Sequence, residues 1–205
     1  MIHEITSVIL QLLLFASIPF LGYFLKFKKA KGFLNYIGIK KSNNRTNAIA
    51  LLAGLVLSIL FMIIVFINEE FMTIFLNPES VTGKIKLIDN KTLAAFTILM
   101  VAIFKTALAE EILFRGFIAK RLIFITNFYT GNIIQSLIFG AIHVLLFITI
   151  TQNLIVHLII FLFTSVIAYI SAYLNEKKAN GSIVPGIIIH STSNIISYST
   201  VYLMI

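Results

Sequence analysis

The sequence predicts an all-α fold: a polytopic membrane helical bundle of about six transmembrane helices. Three observations carry this prediction. Of 205 residues, 59% are hydrophobic and only 12% are charged, and the mean hydropathy is +1.01. A soluble domain carries about 25% charged residues, so this chain lacks the polar side chains to coat a water-facing surface. The apolar residues also gather into runs of about 20, the length an α-helix needs to cross hydrocarbon with its backbone bonds satisfied. Finally, the runs are apolar on all sides, whereas a membrane barrel would alternate apolar and polar positions. These features exclude a soluble globule, a disordered tail and a nucleic-acid-binding module. With no Cys, the chain has no disulfide framework, thiolate metal site or catalytic thiol. No repeat, low-complexity tract or linker divides it, so one integral membrane domain over 1–205 is expected, with its polar motifs in 93–204.

The six runs are about Ile5 to Leu25, Ala48 to Ile67, Leu93 to Ala119, Asn132 to Ile150, Asn153 to Tyr173 and Ile183 to Met204. The first begins Met1-Ile2-His3-Glu4, without Lys or Arg, and leads into basic residues instead of a small-residue cleavage site. It reads as a retained span, not a signal peptide. Basic residues set the orientation. Lys26, Lys28, Lys29, Lys31, Lys40, Lys41 and Arg45 follow run one, Lys120 and Arg121 follow run three, and Lys177 and Lys178 follow run five. All fall on one side, which is assigned to the cytoplasm. The other side carries Lys84, Lys86 and Lys91, offset by Glu69, Glu70, Glu79 and Asp89. The net charge of +8 and pI near 9.7 therefore report topology and attraction to anionic lipid, not nucleic acid. Both termini are expected outside, and Phe33 to Ile39 is expected at the inner membrane surface.

Ionisable residues within the runs are the informative ones, because each costs roughly 2.5–3.5 kcal/mol at a helix centre. Run three alone holds Lys105, Glu110, Glu111 and Arg115. Glu111 and Arg115 are spaced i, i+4 with the acid first, the favourable order for an ion pair. Glu110 lies one residue, or about 100°, around from Glu111, so both can face one side of a bundle. On a regular helix Lys105 points away from Glu110, and no role is assigned to it. Run four holds His143 one turn after Phe139, with Ser136 and Gly140 positioned to let another helix approach. Run six holds His190 and, one turn on, Asn194, on a stripe that includes Gly186 and Ser197. Glu110, His143 and His190 are each placed roughly 10–17 Å below the inner surface at 1.5 Å per residue. His157 lies near the outer start of run five and is read as interfacial.

Together these strings fit three motifs: E-E-x-x-x-R at Glu110 to Arg115, F-x-x-x-H at Phe139 to His143, and H-x-x-x-N at His190 to Asn194. Their order and spacing resemble the CPBP family, which joins the CAAX prenyl proteases of the Rce type with the bacteriocin-processing or immunity proteins, also called Abi. The resemblance covers about half the chain, Leu93 to Met204. It implies an intramembrane endopeptidase in which Glu110 and His143 activate water and His190 with Asn194 steady the oxyanion. Glu111 and Arg115 would support them.

The chemistry is coherent by itself, since peptide hydrolysis needs a base for water and donors for a tetrahedral oxyanion. Two options for a cofactor stand: none, with glutamate-activated water, or one divalent metal such as zinc held by His143, His190 and Glu111. The helical H-E-x-x-H signature is absent. The implied partners are a peptide or protein substrate and the lipid bilayer, with no nucleic acid, and the implied location is a bacterial cell membrane. Rival readings are a non-catalytic immunity or scaffold protein of the same fold, and a proton-coupled carrier. The site is expected to open toward the cytoplasm or the lipid.

The topology is testable by single-Cys labelling, since the native chain has no Cys. A Cys at position 178 is expected to resist an impermeant maleimide on intact cells, and labelling there reverses the orientation.

Overall fold

The computed structural model describes residues 2–204; Met1 and Ile205, the ends of the expected domain, lie outside them. All regular structure among the described residues is helical. Helix α1 covers Ile2–Phe27, α2 Phe33–Tyr36, α3 Asn44–Ile67, α4 Glu69–Leu76 and α5 Val81–Lys86. Helix α6 runs unbroken over Lys91–Ile125, α7 covers Phe128–Phe147, α8 Leu154–Lys178 and α9 Val184–Leu203.

Helix starts follow short polar residues that cap free backbone N–H groups. Asn43, Asn68, Ser80, Asn90, Asn127 and Asn153 each accept a hydrogen bond from a first-turn N–H. Helix α6 extends past the apolar run at both ends, where the flanking residues remain helical. At its inner end Lys120 Nζ donates to Glu176 and to the Gly181 carbonyl, and the Arg121 guanidinium stacks 3.8 Å over the Tyr36 ring.

Helices α1, α3, α6, α7 and α8 are each long and apolar enough to cross a membrane. The sixth expected span is also a helix, α9, of 20 residues. It is not among those five, because His190 to Asn194 and Ser197 make it too polar. It lies inside the bundle against α3 and α6, and only Leu203 along it is exposed. The outward faces of the others are lined with Leu, Ile and Phe, such as Leu13, Leu52, Leu145 and Leu158. The exterior is thus as apolar as the core, unlike that of a soluble fold.

The inner end is closed. Ile183 N–H donates to Gly38 O at 2.9 Å and Ser182 Oγ to Lys40 O at 2.7 Å. Beneath them pack Ile37, Ile112 and Ile183, beside Ala50, Leu174 and Ile189. So Phe33 to Ile39 does not simply rest on the membrane surface; Ile37 plugs the bundle. At the outer end, α4 is tied to the α7–α8 connection, where the Glu70 carboxylate accepts from Thr151 Oγ1 and Asn153 Nδ2.

Helices α7 and α8 approach closely at Gly140, as its small size predicts. A Cβ there would stand 2.2 Å from Ser165 Oγ and 2.7 Å from Phe161 O. Gly140→Val is expected to cost about 1–3 kcal/mol by overpacking, read as a lower unfolding temperature in detergent. An unchanged midpoint would mean that the helices separate freely here.

Candidate active site

Three helices supply the site, and their motif residues meet around one ring. The Phe139 ring of α7 takes the Arg115 guanidinium at 4.1 Å from its centre. Phe114 packs edge-on at 4.9 Å, His143 lies at 4.3 Å and His190 edge-on at 6.2 Å. Arg115 Nη1 stands 3.1 Å from Glu111 Oε1, with the two side chains 1% and 0% exposed. The i, i+4 pair expected from the sequence is therefore formed and fully buried.

The two glutamates diverge. Glu111 turns to Arg115 and to the first turn of α9, where a Cβ on Gly186 would stand 2.2 Å from Glu111 Oε2. Only a residue without a side chain lets that carboxylate in. Asn175 Oδ1 accepts from Gly186 N–H at 2.9 Å and holds the turn. Glu110 instead lines a chamber of about 420 Å³ together with His143, His190 and Asn194. Its Oε2 is buried, has no hydrogen-bond partner among the described residues, and lies 3.9 Å from His190 Nε2. His190 Nδ1 faces Glu111 Oε1 at 3.6 Å, so this ring stands between both carboxylates.

His143 has a defined tautomer. Its Nδ1 lies 2.9 Å from the Phe139 carbonyl, which can only accept, so Nδ1 carries the hydrogen. In the neutral ring this leaves the Nε2 lone pair to act as acceptor. Asn194 Nδ2 donates to Thr106 Oγ1 at 2.8 Å, and the amide's second N–H is available to another acceptor.

The chamber does not open toward the end that carries the basic loops. Its walls continue to Phe75, Ser80 and Thr82 of the α4–α5 segment, at the end opposite the basic loops. The plug at Ile37 and Ile189 closes the other way. A second cavity, of about 640 Å³, lies between α1 and α7, and Glu110 and His143 line it too. Its mouth includes the exposed Leu10, Leu14 and Leu146, so it faces lipid, as one half of the expectation had it.

Residues 92–196, which span the three motif helices, match the family model of the type II CAAX prenyl endopeptidases, Rce1-like. The chain belongs to this family. No curated protein and no solved structure matches it. Helices α1 to α5 fall outside the Rce1-like match.

Three further residues stand with the motif residues in these two cavities. Thr106 holds Asn194. Tyr198 lines the same chamber one turn beyond Asn194 and shares Thr106; the repeat of four from His190 through Asn194 to Tyr198 was the signal for it. Lys105 is a correction: it lines the lateral cavity with Glu110. Met100–Leu108 is a π-helix, in which i→i+5 bonding widens the turn, so residues five apart stack. His157 lines neither cavity.

The donors named for zinc are not gathered at one point. Among the described residues, no three His, Cys, Asp or Glu side chains come together as a metal site. Of the set His143, His190 and Glu111, the last is engaged by Arg115 and lines neither cavity. The donors do not fit a three-ligand metal.

Arg115→Ala is expected to destabilise the protein by about 3–5 kcal/mol, because it strands a buried carboxylate. The double change Glu111→Leu with Arg115→Met should recover most of that. Thermal unfolding of both variants in one detergent checks this; equal loss in the two would mean the pair's charge is immaterial.

Proposed function

We propose that this protein is an intramembrane endopeptidase that hydrolyses a peptide bond of a membrane-associated peptide or protein with a water activated by Glu110. The observation that carries this reading is the shared lining of one chamber by a carboxylate whose Oε2 has no hydrogen-bond partner among the described residues, an imidazole acceptor and two donors. Membership of a peptidase family supports it.

In this mechanism water lies between Glu110 and His143 Nε2. The carboxylate takes one proton as the water oxygen attacks the scissile carbonyl carbon, and His143 Nε2 accepts a hydrogen bond from the other hydrogen. Negative charge moves to the carbonyl oxygen, where the free N–H of Asn194 and a ring N–H of His190 stabilise it. The C–N bond then breaks, and Glu110 returns its proton to the leaving amine. Glu111 and Arg115 act indirectly: they fix His190 and Phe139, and through them the angle at which α9 presents its donors.

Glu110→Gln keeps the shape and removes the base, so turnover is expected to fall about 10²-fold or more with the unfolding temperature preserved. Asn194→Ala is expected to cost about 3 kcal/mol in the barrier, as other oxyanion donors do. His157→Ala should change neither rate nor stability. The check is cleavage of a membrane-anchored peptide by the purified variants. A wild-type rate for Glu110→Gln overturns the mechanism.

A further inference from the structure

The site lies inside the bundle, and every bond hydrolysed consumes a water. Distance does not say from which face that water comes. Asn194 stands about 15 Å along α9 from Val184 and about 14 Å from Leu203. Packing separates the two faces. Toward the basic loops, three glycines let neighbouring segments close up. A Cβ on Gly38 would stand 2.4 Å from Gly181 O, one on Gly116 2.7 Å from Ile37 O, and one on Gly186 2.2 Å from Glu111 Oε2. Ile37, Ile183 and Ile189 fill the layer between, all fully buried. Contacts this close leave no room for a water. The lateral cavity is no supply either, because its mouth gives on hydrocarbon, which holds no water.

The chamber runs the other way. Its lining reaches Glu79 and Val81, at the junction of α4 and α5. The Glu79 side chain is 84% exposed and Val81 is 40% exposed, so the lining meets solvent there. One wall stays polar. Ser193 and Ser197 of α9 continue from His190 and Asn194, and Ser80 and Thr82 stand at the mouth. The residues that make α9 too polar for lipid thus offer hydroxyls along which water can bond. The rim is fixed in place. Thr82 Oγ1 donates to Phe75 O at 2.5 Å, Ser80 Oγ to Asn77 O at 2.8 Å and Tyr202 OH to Ile88 O at 3.2 Å. Phe71 and Ile74 anchor α4 in the core.

We infer that water enters the chamber, and the soluble product leaves it, through this mouth, on the face opposite the basic loops. The product's exit rests on the endopeptidase reading; the mouth itself rests on the cavity. The substrate is then a membrane-anchored peptide whose freed end is delivered to that face.

The native chain has no Cys, so one added Cys reports one place. Ser197→Cys probes the chamber, and the exposed positions Glu79→Cys and Lys178→Cys mark the two faces. Each full-length variant, in sealed vesicles of either orientation, is treated with the impermeant trimethylammonioethyl methanethiosulfonate. Ser197→Cys is expected to react from the face that modifies Glu79→Cys and to be spared from the face that modifies Lys178→Cys. Adding Val81→Trp narrows the mouth and should abolish that reaction, whereas Val81→Ala should keep it. Leu10→Trp, at the lateral cavity, should also keep it. Reaction from the Lys178 face, reaction from neither face, or reaction lost with Leu10→Trp but kept with Val81→Trp overturns the mouth. In the same vesicles, cleavage is followed with a membrane-anchored peptide that carries a dye on its releasable end. The dye should appear on the Glu79 face. Reaction of Ser197→Cys from that face without any cleavage keeps the mouth and removes the endopeptidase reading. Dye released on the Lys178 face keeps the endopeptidase reading and overturns the exit.

Discussion

The buried pair of Glu111 and Arg115 is the constraint on which the rest of the site depends. Neither charge tolerates hydrocarbon alone, and burying one without the other leaves a penalty of several kcal/mol. Each also reaches beyond its own helix. Arg115 lies flat on Phe139 of α7, and Glu111 enters the gap that Gly186 leaves in α9. One ion pair on α6 thus fixes the spacing of three helices. Glu110, His143, His190 and Asn194 are carried on those helices, so their convergence follows from an interaction that none of them makes.

Helix α6 contributes a second constraint through its two wide segments, Met100–Leu108 and Phe114–Ala119. They change the phase of the helix on both sides of the Glu110–Glu111 pair. The first brings Lys105 and Thr106 onto opposite walls, one facing the lateral cavity and the other the chamber. Glu110 is left at the junction of the two spaces. A straight helix would separate the carboxylate from one of them.

Much of this was legible in the residues. Long apolar runs ended by Asn and Ser gave the helices, because a span needs length and a cap needs a short acceptor. The three motifs singled out the residues that line one chamber, because ionisable groups in hydrocarbon need a reason to be there. What escaped was geometry set by neighbours. Adjacent glutamates look equivalent in a sequence, and only packing against Gly186 shows that Glu111 turns inward while Glu110 faces the chamber. The fate of Lys105 depended on a π-helical phase that a regular 100° step does not anticipate. The direction of the chamber depended on Ile37, which lies in a basic segment that reads as a surface loop yet is buried.

Helix α9 has a consequence for how the protein comes to exist in the membrane. With His190 to Asn194 and Ser197 on its surface, it gains less from lipid than its partners do, and its shelter is the surface of α3 and α6. Its insertion is then an act of assembly instead of partitioning: the helix is stable across the bilayer only where the others already stand. The side chains it carries into the chamber, His190 and Asn194, therefore reach Glu110 and His143 only in the completed bundle.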